Sequence, residues 1–187
     1  MRVAALRPVC ALFVLTVVLG TPPARADVPK IVLDAASAPV SELQVIGDGS
    51  ESSDLRWATW MSGTQPVSNQ VWLALLRRQR AASVTVWSTA RTEGYLPRIL
   101  VVTNWQYSGK PTLMFTYQMG AEAEELELYG LDANNTPVLL GHSSAAIFFL
   151  RYHDTYFIEA RGLLLEPTTC LFFDRARARL ATKECPK

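Results

Sequence analysis

The chain has 187 residues, with 18 basic and 17 acidic side chains, a formal charge of +1, 49% apolar residues and 19% charged residues. That length and apolar fraction exclude a mainly disordered chain and supply a hydrophobic core for one domain. The near-zero charge argues against a dedicated nucleic-acid binder.

The N-terminus has the three-part layout of a secretory signal peptide. Arg2 and Arg7 form a positive start, Val9 to Gly20 is apolar, and Ala24-Arg25-Ala26 offers a small-residue cleavage site. A spanning helix needs about 20 apolar residues, and this run is shorter and ends at Pro22-Pro23. Cys10 lies at the start of the apolar run instead of closing it, unlike a lipoprotein anchor. Residues 1–26 are therefore expected to be a signal peptide and residues 27–187 a single β-rich domain, periplasmic or secreted. Their removal takes three arginines and no acid from the chain, leaving 161 residues with 15 basic and 17 acidic groups, a charge of −2. No later apolar run is long enough for stable membrane insertion after cleavage.

Two cysteines remain, Cys170 and Cys185. In an oxidising compartment such an isolated pair is most simply a disulfide. Without a histidine between them, they make poor zinc ligands.

Along the mature chain, residues 27–65 are the least regular, with short strands expected at Lys30–Leu33 and Leu43–Ile46. Helix signals follow over residues 67–80. Pro66 suits a first turn and Ser68 a cap, Val71, Trp72, Leu75 and Leu76 form a stripe, and Arg77, Arg78 and Arg80 fall in the last turn. A strand through Val71–Leu76 is the alternative, because the run is short.

From Ser83 the period changes to two. Strands are expected at 83–89, 98–107, 112–119, 125–131, 138–140, 145–152, 155–160, 170–173 and 179–185. Turns fall at Ser108–Pro111, Asn134-Asn135, Gly141, His153-Asp154 and Gly162. Strands so close together leave no room for crossover helices and should pair antiparallel. The expected fold is mainly β: a single antiparallel sandwich or partly open barrel with one helix, residues 67–80, packed on it.

Asp48-Gly49-Ser50-Glu51-Ser52 fits D-x-S-x-S and resembles the metal-adhesion loop of von Willebrand A-type domains. The resemblance implies oxygen ligands that hold a divalent cation after a buried strand, here Leu43–Ile46. It is confined to that short stretch. The A-type family alternates strands with helices, whereas the chain after Ser83 is almost all strand, and a serine-rich surface loop is the plainer reading. No metal and no other cofactor is expected.

Catalytic patterns are sparse. His142 and His153 are the two histidines, and His153-Asp154 with the nearby serines could serve a hydrolase, but no G-x-S-x-G elbow, H-E-x-x-H pair or glycine-rich phosphate loop occurs. Glu122, Glu124, Glu125 and Glu127 read as a solvated acidic stripe, the wet face opposite Leu126 and Leu128. Arg175, Arg177 and Arg179 would line one side of a strand, and with Arg77, Arg78 and Arg80 they give the charge segregation of a protein that meets a matched protein partner. The leading expectation is a non-enzymatic protein that binds another protein through Arg175, Arg177 and Arg179, such as an inhibitor or immunity protein. The alternative is a carbohydrate- or lipid-binding module using Trp105, Tyr107 and Tyr117 as a stacking surface.

Overall fold

The structure, a computed structural model, describes residues 40–63, 69–79, 82–92, 94–163 and 167–186. The expected signal peptide, the strand at Lys30–Leu33, and Pro66, Ser68 and Arg80 lie outside these residues.

Twelve antiparallel strands form three open four-stranded meanders, none of them closed. The first sheet contains β1 (Val40–Gly47), β2 (Leu55–Ser62), β3 (Gln70–Gln79) and β4 (Ala82–Thr92). The middle sheet contains β5 (Gly94–Tyr107), β6 (Lys110–Met119), β7 (Ala123–Leu131) and β8 (Pro137–Ala145). The last contains β9 (Ile147–His153), β10 (Thr155–Arg161), β11 (Thr169–Asp174) and β12 (Arg179–Lys183).

The expected mainly-β class is present, but among the described residues there is no helix and the strands form three sheets instead of a single sandwich. The sheets stack as three layers. Leu55, Trp57, Val71, Leu73 and Leu75 of the first sheet share a core with Ile99, Leu113, Phe115, Tyr117, Tyr129 and Leu131 of the middle sheet. On its other face the middle sheet sends Val102, Trp105, Leu126, Leu128 and Leu140 against Phe148, Ile158, Ala160 and Leu171 of the last sheet.

The expected helix over 67–80 is corrected to a strand across Gln70–Gln79. Val71, Leu73 and Leu75 point into the inter-sheet core, while Ala74 and Leu76, with Trp72, join a second apolar cluster on the sheet's opposite face. A strand buried on both sides loses its polar alternation and reads as a continuous apolar run. The same effect hid β2, where Leu55 and Trp57 face one way and Ala58 and Trp60 the other. Stacking of Trp60 on Trp72, with centroids 5.7 Å apart, holds the second cluster together. Arg77 lies within β3 near Asp54, Nε to Oδ2 3.8 Å, instead of closing a helix.

Two local devices connect the layers. The Gln44 side chain donates to the Pro97 carbonyl at 3.2 Å and accepts from the Ile99 amide at 3.2 Å. An amide side chain thereby replaces a ladder bond between the first and middle sheets. Gly141, expected as a turn, lies inside β8, where a Cβ would come 2.6 Å from the Leu180 Cβ. It is there for close approach of β8 to β12. Gly141→Ala should therefore cost about 1–3 kcal/mol through overpacking, read as a lower urea midpoint; an unchanged midpoint would show that Leu180 moves aside freely.

The strand faces along β5 also differ from strict alternation. Strict alternation over 98–107 would put Ile99, Val101, Thr103, Trp105 and Tyr107 in a single row, which a register shift between Val102 and Gln106 breaks. Ile99 faces the first sheet, whereas Trp105 faces the last. An extra residue in one strand moves every later side chain to the other face.

Candidate functional site

The most connected polar cluster bridges the first and middle sheets. Arg91 on β4 points inward across the layer to Glu127 on β7, Nε to Oε1 2.7 Å and Nη2 to Oε2 2.9 Å. Tyr117 donates its hydroxyl to Oε1 at 3.2 Å and Tyr129 donates to Oε2 at 2.7 Å. Two donors on each oxygen fill the lone-pair sites of one carboxylate. The guanidinium is equally occupied: Nη2 also donates to the Tyr129 oxygen at 3.1 Å, and Nη1 donates to Thr89 Oγ1 at 2.6 Å and the Ala90 carbonyl at 3.0 Å.

Glu127 is 7% exposed and Glu124 5%, so the expected solvated acidic stripe is corrected at both positions. Glu124 instead accepts from the Phe148 amide at 3.0 Å, tying the middle sheet to β9. The middle sheet has no wet face along β7, because a layer covers each side. A carboxylate with every lone pair occupied holds no water and takes no proton from a substrate. The cluster is thus a clamp between sheets, not a catalytic centre.

Its electrostatics have a measurable consequence. Burial, reinforced by the Glu127 charge, pushes the Tyr117 phenol up from 10.0 to about 12. Tyr129 is raised as well, first by burial and then by its hydrogen bond to Glu127. That same carboxylate holds the Arg91 guanidinium above its ordinary value. A folded-state value above the unfolded one stabilises the protein below the unfolded value, and the gain disappears as pH rises through the folded value. Stability should therefore fall as pH rises from 10 towards 12, the window that the Tyr117 shift defines. Tyr117→Phe should flatten that fall in an alkaline denaturation series; an unchanged slope would assign it to other groups.

The residues expected to carry function are placed differently from one another. Trp105, 3% exposed, stacks on Phe173 inside the second core, centroids 6.0 Å apart, and Tyr117 is 6% exposed. Tyr107 is half-buried beside Gly130. Trp105 and Tyr117 therefore form no exposed platform with Tyr107.

His142, paired in register with Glu127, lies on β8 on the side facing the first sheet. His153 and Asp154 form an exposed turn of the last sheet, Nδ1 to Oδ2 3.4 Å. The second core separates them from His142, so the three do not converge.

Asp48 is buried and accepts from the Ser50 amide at 3.0 Å in a local turn. Its neighbour Gly49 leaves no room for a Cβ against Val101 and Pro111, which makes this a packed turn instead of the flexible loop expected. It sits among antiparallel strands, unlike the A-type pattern, and among the described residues no group of three or more His, Cys, Asp or Glu could hold a metal ion.

Cys170 and Cys185 form a disulfide, 15 residues apart in sequence. The bridge is consistent with an oxidising location. Cys170 is fully buried on β11, so the bond fastens the C-terminal tail to the last sheet.

Arg175 and Arg177 occupy the turn between β11 and β12, and only Arg179 lies on a strand, which corrects the expected three-residue row. Asp174 organises this turn by accepting from the Ala176 and Arg177 amides at 3.0 and 3.2 Å. Arg175 donates to the Asn104 carbonyl at 3.3 Å. The three arginines nonetheless remain exposed at one end of the last sheet.

The outward face of that sheet is the most organised exposed surface among the described residues. Cross-strand register places Phe149 with Glu159, Arg151 with Phe157, Phe172 with Ala181, Cys170 with Lys183 and Asp174 with Arg179, all on the side away from the second core. Phe157 stacks on Phe172 at 5.5 Å, and Lys183 lies 5.6 Å from the Phe172 centroid. Arg151 and Arg161 lie over the Phe149 ring at 4.9 and 5.0 Å. Sequence reading missed this group, although the alternation Phe149, Arg151 and Phe157, Glu159, Arg161 was its signal. Comparison with protein-family models, curated proteins and solved structures finds no match for this chain, and its functional reading rests on its own geometry.

Proposed function

We propose that this chain is an exported, disulfide-stabilised, non-enzymatic protein that binds another protein in the periplasm or outside the cell, in the manner of an inhibitor or immunity protein directed at a secreted enzyme or toxin. The observation that carries this reading is the outward face of the last sheet. There Arg151, Arg161, Arg179 and Lys183 are interleaved with the half-buried Phe149 and Phe172, the latter stacked on the buried Phe157, beside the turn of Arg175 and Arg177. Arginine and aromatic side chains are the groups from which protein-binding hot spots are built. Holding them in place before contact lowers the ordering cost of association. The N-terminal signal pattern and the disulfide both support export.

Affinity capture with the mature protein from its own envelope and secretome tests the reading. Recovery of one stoichiometric protein partner is expected. Retention of glycan or lipid without protein would overturn it.

A further inference from the structure

We infer that Arg151 and Arg161 form a paired-guanidinium site that receives the carboxylates of an acidic, apolar-containing segment of a protein partner, an inference that rests on the protein-binding reading above. The two arginines come from adjacent strands, β9 and β10, and converge on Glu159. Arg151 Nε donates to Oε2 at 2.8 Å and Arg161 Nε donates to Oε1 at 2.6 Å. Each guanidinium is thus fixed through its inner nitrogen while its plane rests over Phe149. The two cations in turn hold the Glu159 carboxyl below its ordinary value, so the pinning persists across neutral and mildly acidic pH.

What the pinning leaves over points to a ligand. Among the described residues, none of the Nη groups of Arg151 or Arg161 meets an acceptor, and the two side chains keep 45% and 50% of their surface exposed. A guanidinium carries five donors in a planar fork, and one is used here on each side. The remaining donors are presented from an antiparallel strand pair, with both guanidinium carbons over one ring. That arrangement suits an oxyanion held between two forks.

The surroundings select the source of the anion. The same face carries four cations, Arg151, Arg161, Arg179 and Lys183, but also Glu159 and Asp174, placed there by register. Fixed carboxylates among the cations disfavour a uniformly anionic lipid or polysaccharide surface. Phe149 and Phe172, half-buried beside the forks, suit apolar side chains that alternate with acids along an extended peptide. A protein segment meets both conditions by charge complementarity.

The test uses the mature full-length chain and a synthetic 12-residue peptide of alternating Glu and Leu, with binding measured by calorimetry at low and moderate salt. Wild type is expected to bind with an affinity that weakens as salt rises. Arg151→Gln/Arg161→Gln should lose at least about tenfold in affinity, a loss typical of a charge-assisted hydrogen bond removed. Arg98→Gln, an exposed arginine of the middle sheet, should leave binding unchanged. Circular dichroism and absence of free thiol verify that each variant is folded.

Equal peptide binding by wild type and the double variant overturns the site. So does binding of wild type to phosphatidylglycerol vesicles or dextran sulfate but not to the peptide. A double variant that still captures the native partner stoichiometrically overturns the site and leaves the protein-binding reading intact. A wild-type chain that binds the peptide through both arginines yet captures only glycan overturns that reading and leaves the anion site standing.

Discussion

Arg91→Ala is expected to destabilise the protein by about 3 kcal/mol, the lower end for breaking a buried ion pair. The lower end applies because the Arg91 side chain keeps 29% of its surface in water, whereas that of Glu127 keeps 9%. The loss arises on the carboxylate side. Without the guanidinium, Glu127 stays between two sheets with only Tyr117 and Tyr129 to hold it. For a chain of this size, that corresponds to about 6–12 °C in thermal midpoint.

Glu127→Gln should cost less, because the amide oxygen still accepts from a tyrosine and Arg91 retains partial solvent contact. Combining the two should cost less than the sum, since both act through one pair. Thermal and urea denaturation of the singles and the double measure that coupling. Strict additivity would mean that the pair does not interact energetically, despite two hydrogen bonds of 2.7 and 2.9 Å.

Removing the disulfide is expected to cost a similar amount. Closing a loop of the observed separation stabilises by about 3 kcal/mol, mostly through the unfolded state. Cys170→Ala/Cys185→Ala should therefore unfold at lower urea than wild type, with the difference disappearing when both are compared under reducing conditions. Mass spectrometry of the unreduced protein should find neither Cys170 nor Cys185 as a free thiol. Two alkylatable cysteines would refute the bridge under native conditions. Because Cys170 lies on the same outward face as Phe172 and Arg161, loss of the bond should also loosen the tail over that surface.

Much of the strand content was legible because β6, β9, β10 and β11 carry alternation that survives folding. Leu113, Phe115, Tyr117 and Met119 form one row and line the first core as alternation requires. The disulfide was legible once Cys10 was set aside with the expected signal peptide, leaving two cysteines. The class failed to be read only where burial removed alternation. Val71 to Leu76 is apolar on both faces, so its period of two was invisible and a helical stripe fitted equally well. Alternation along β5 fails because a register shift, four positions of β5 against one of β6, leaves no mark in composition.

The charged residues show the same limit more sharply. Glu122 and Glu127 are chemically identical and five positions apart, yet Glu122 is exposed and Glu127 is buried. Nothing local distinguishes an exposed glutamate from one that anchors two sheets. The difference is Arg91, 36 residues earlier in the chain, together with Tyr117 and Tyr129. Arg175, Arg177 and Arg179 likewise looked like a row, but Asp174 folds two of them into a turn, and the surface they border is built by Arg151 and Arg161.

By itself the sequence determined a β-rich chain with antiparallel neighbours, one cysteine pair, a signal-like N-terminus and balanced charge. Each of these follows from composition or from spacing within a few residues. Only the tertiary structure decided that the strands form three stacked meanders, that Glu127 is a clamp, and that two arginines converge over one phenylalanine. Those outcomes depend on which face a neighbouring sheet covers. That covering is a long-range choice, made by the total burial of two layers together, and no short window of residues contains it.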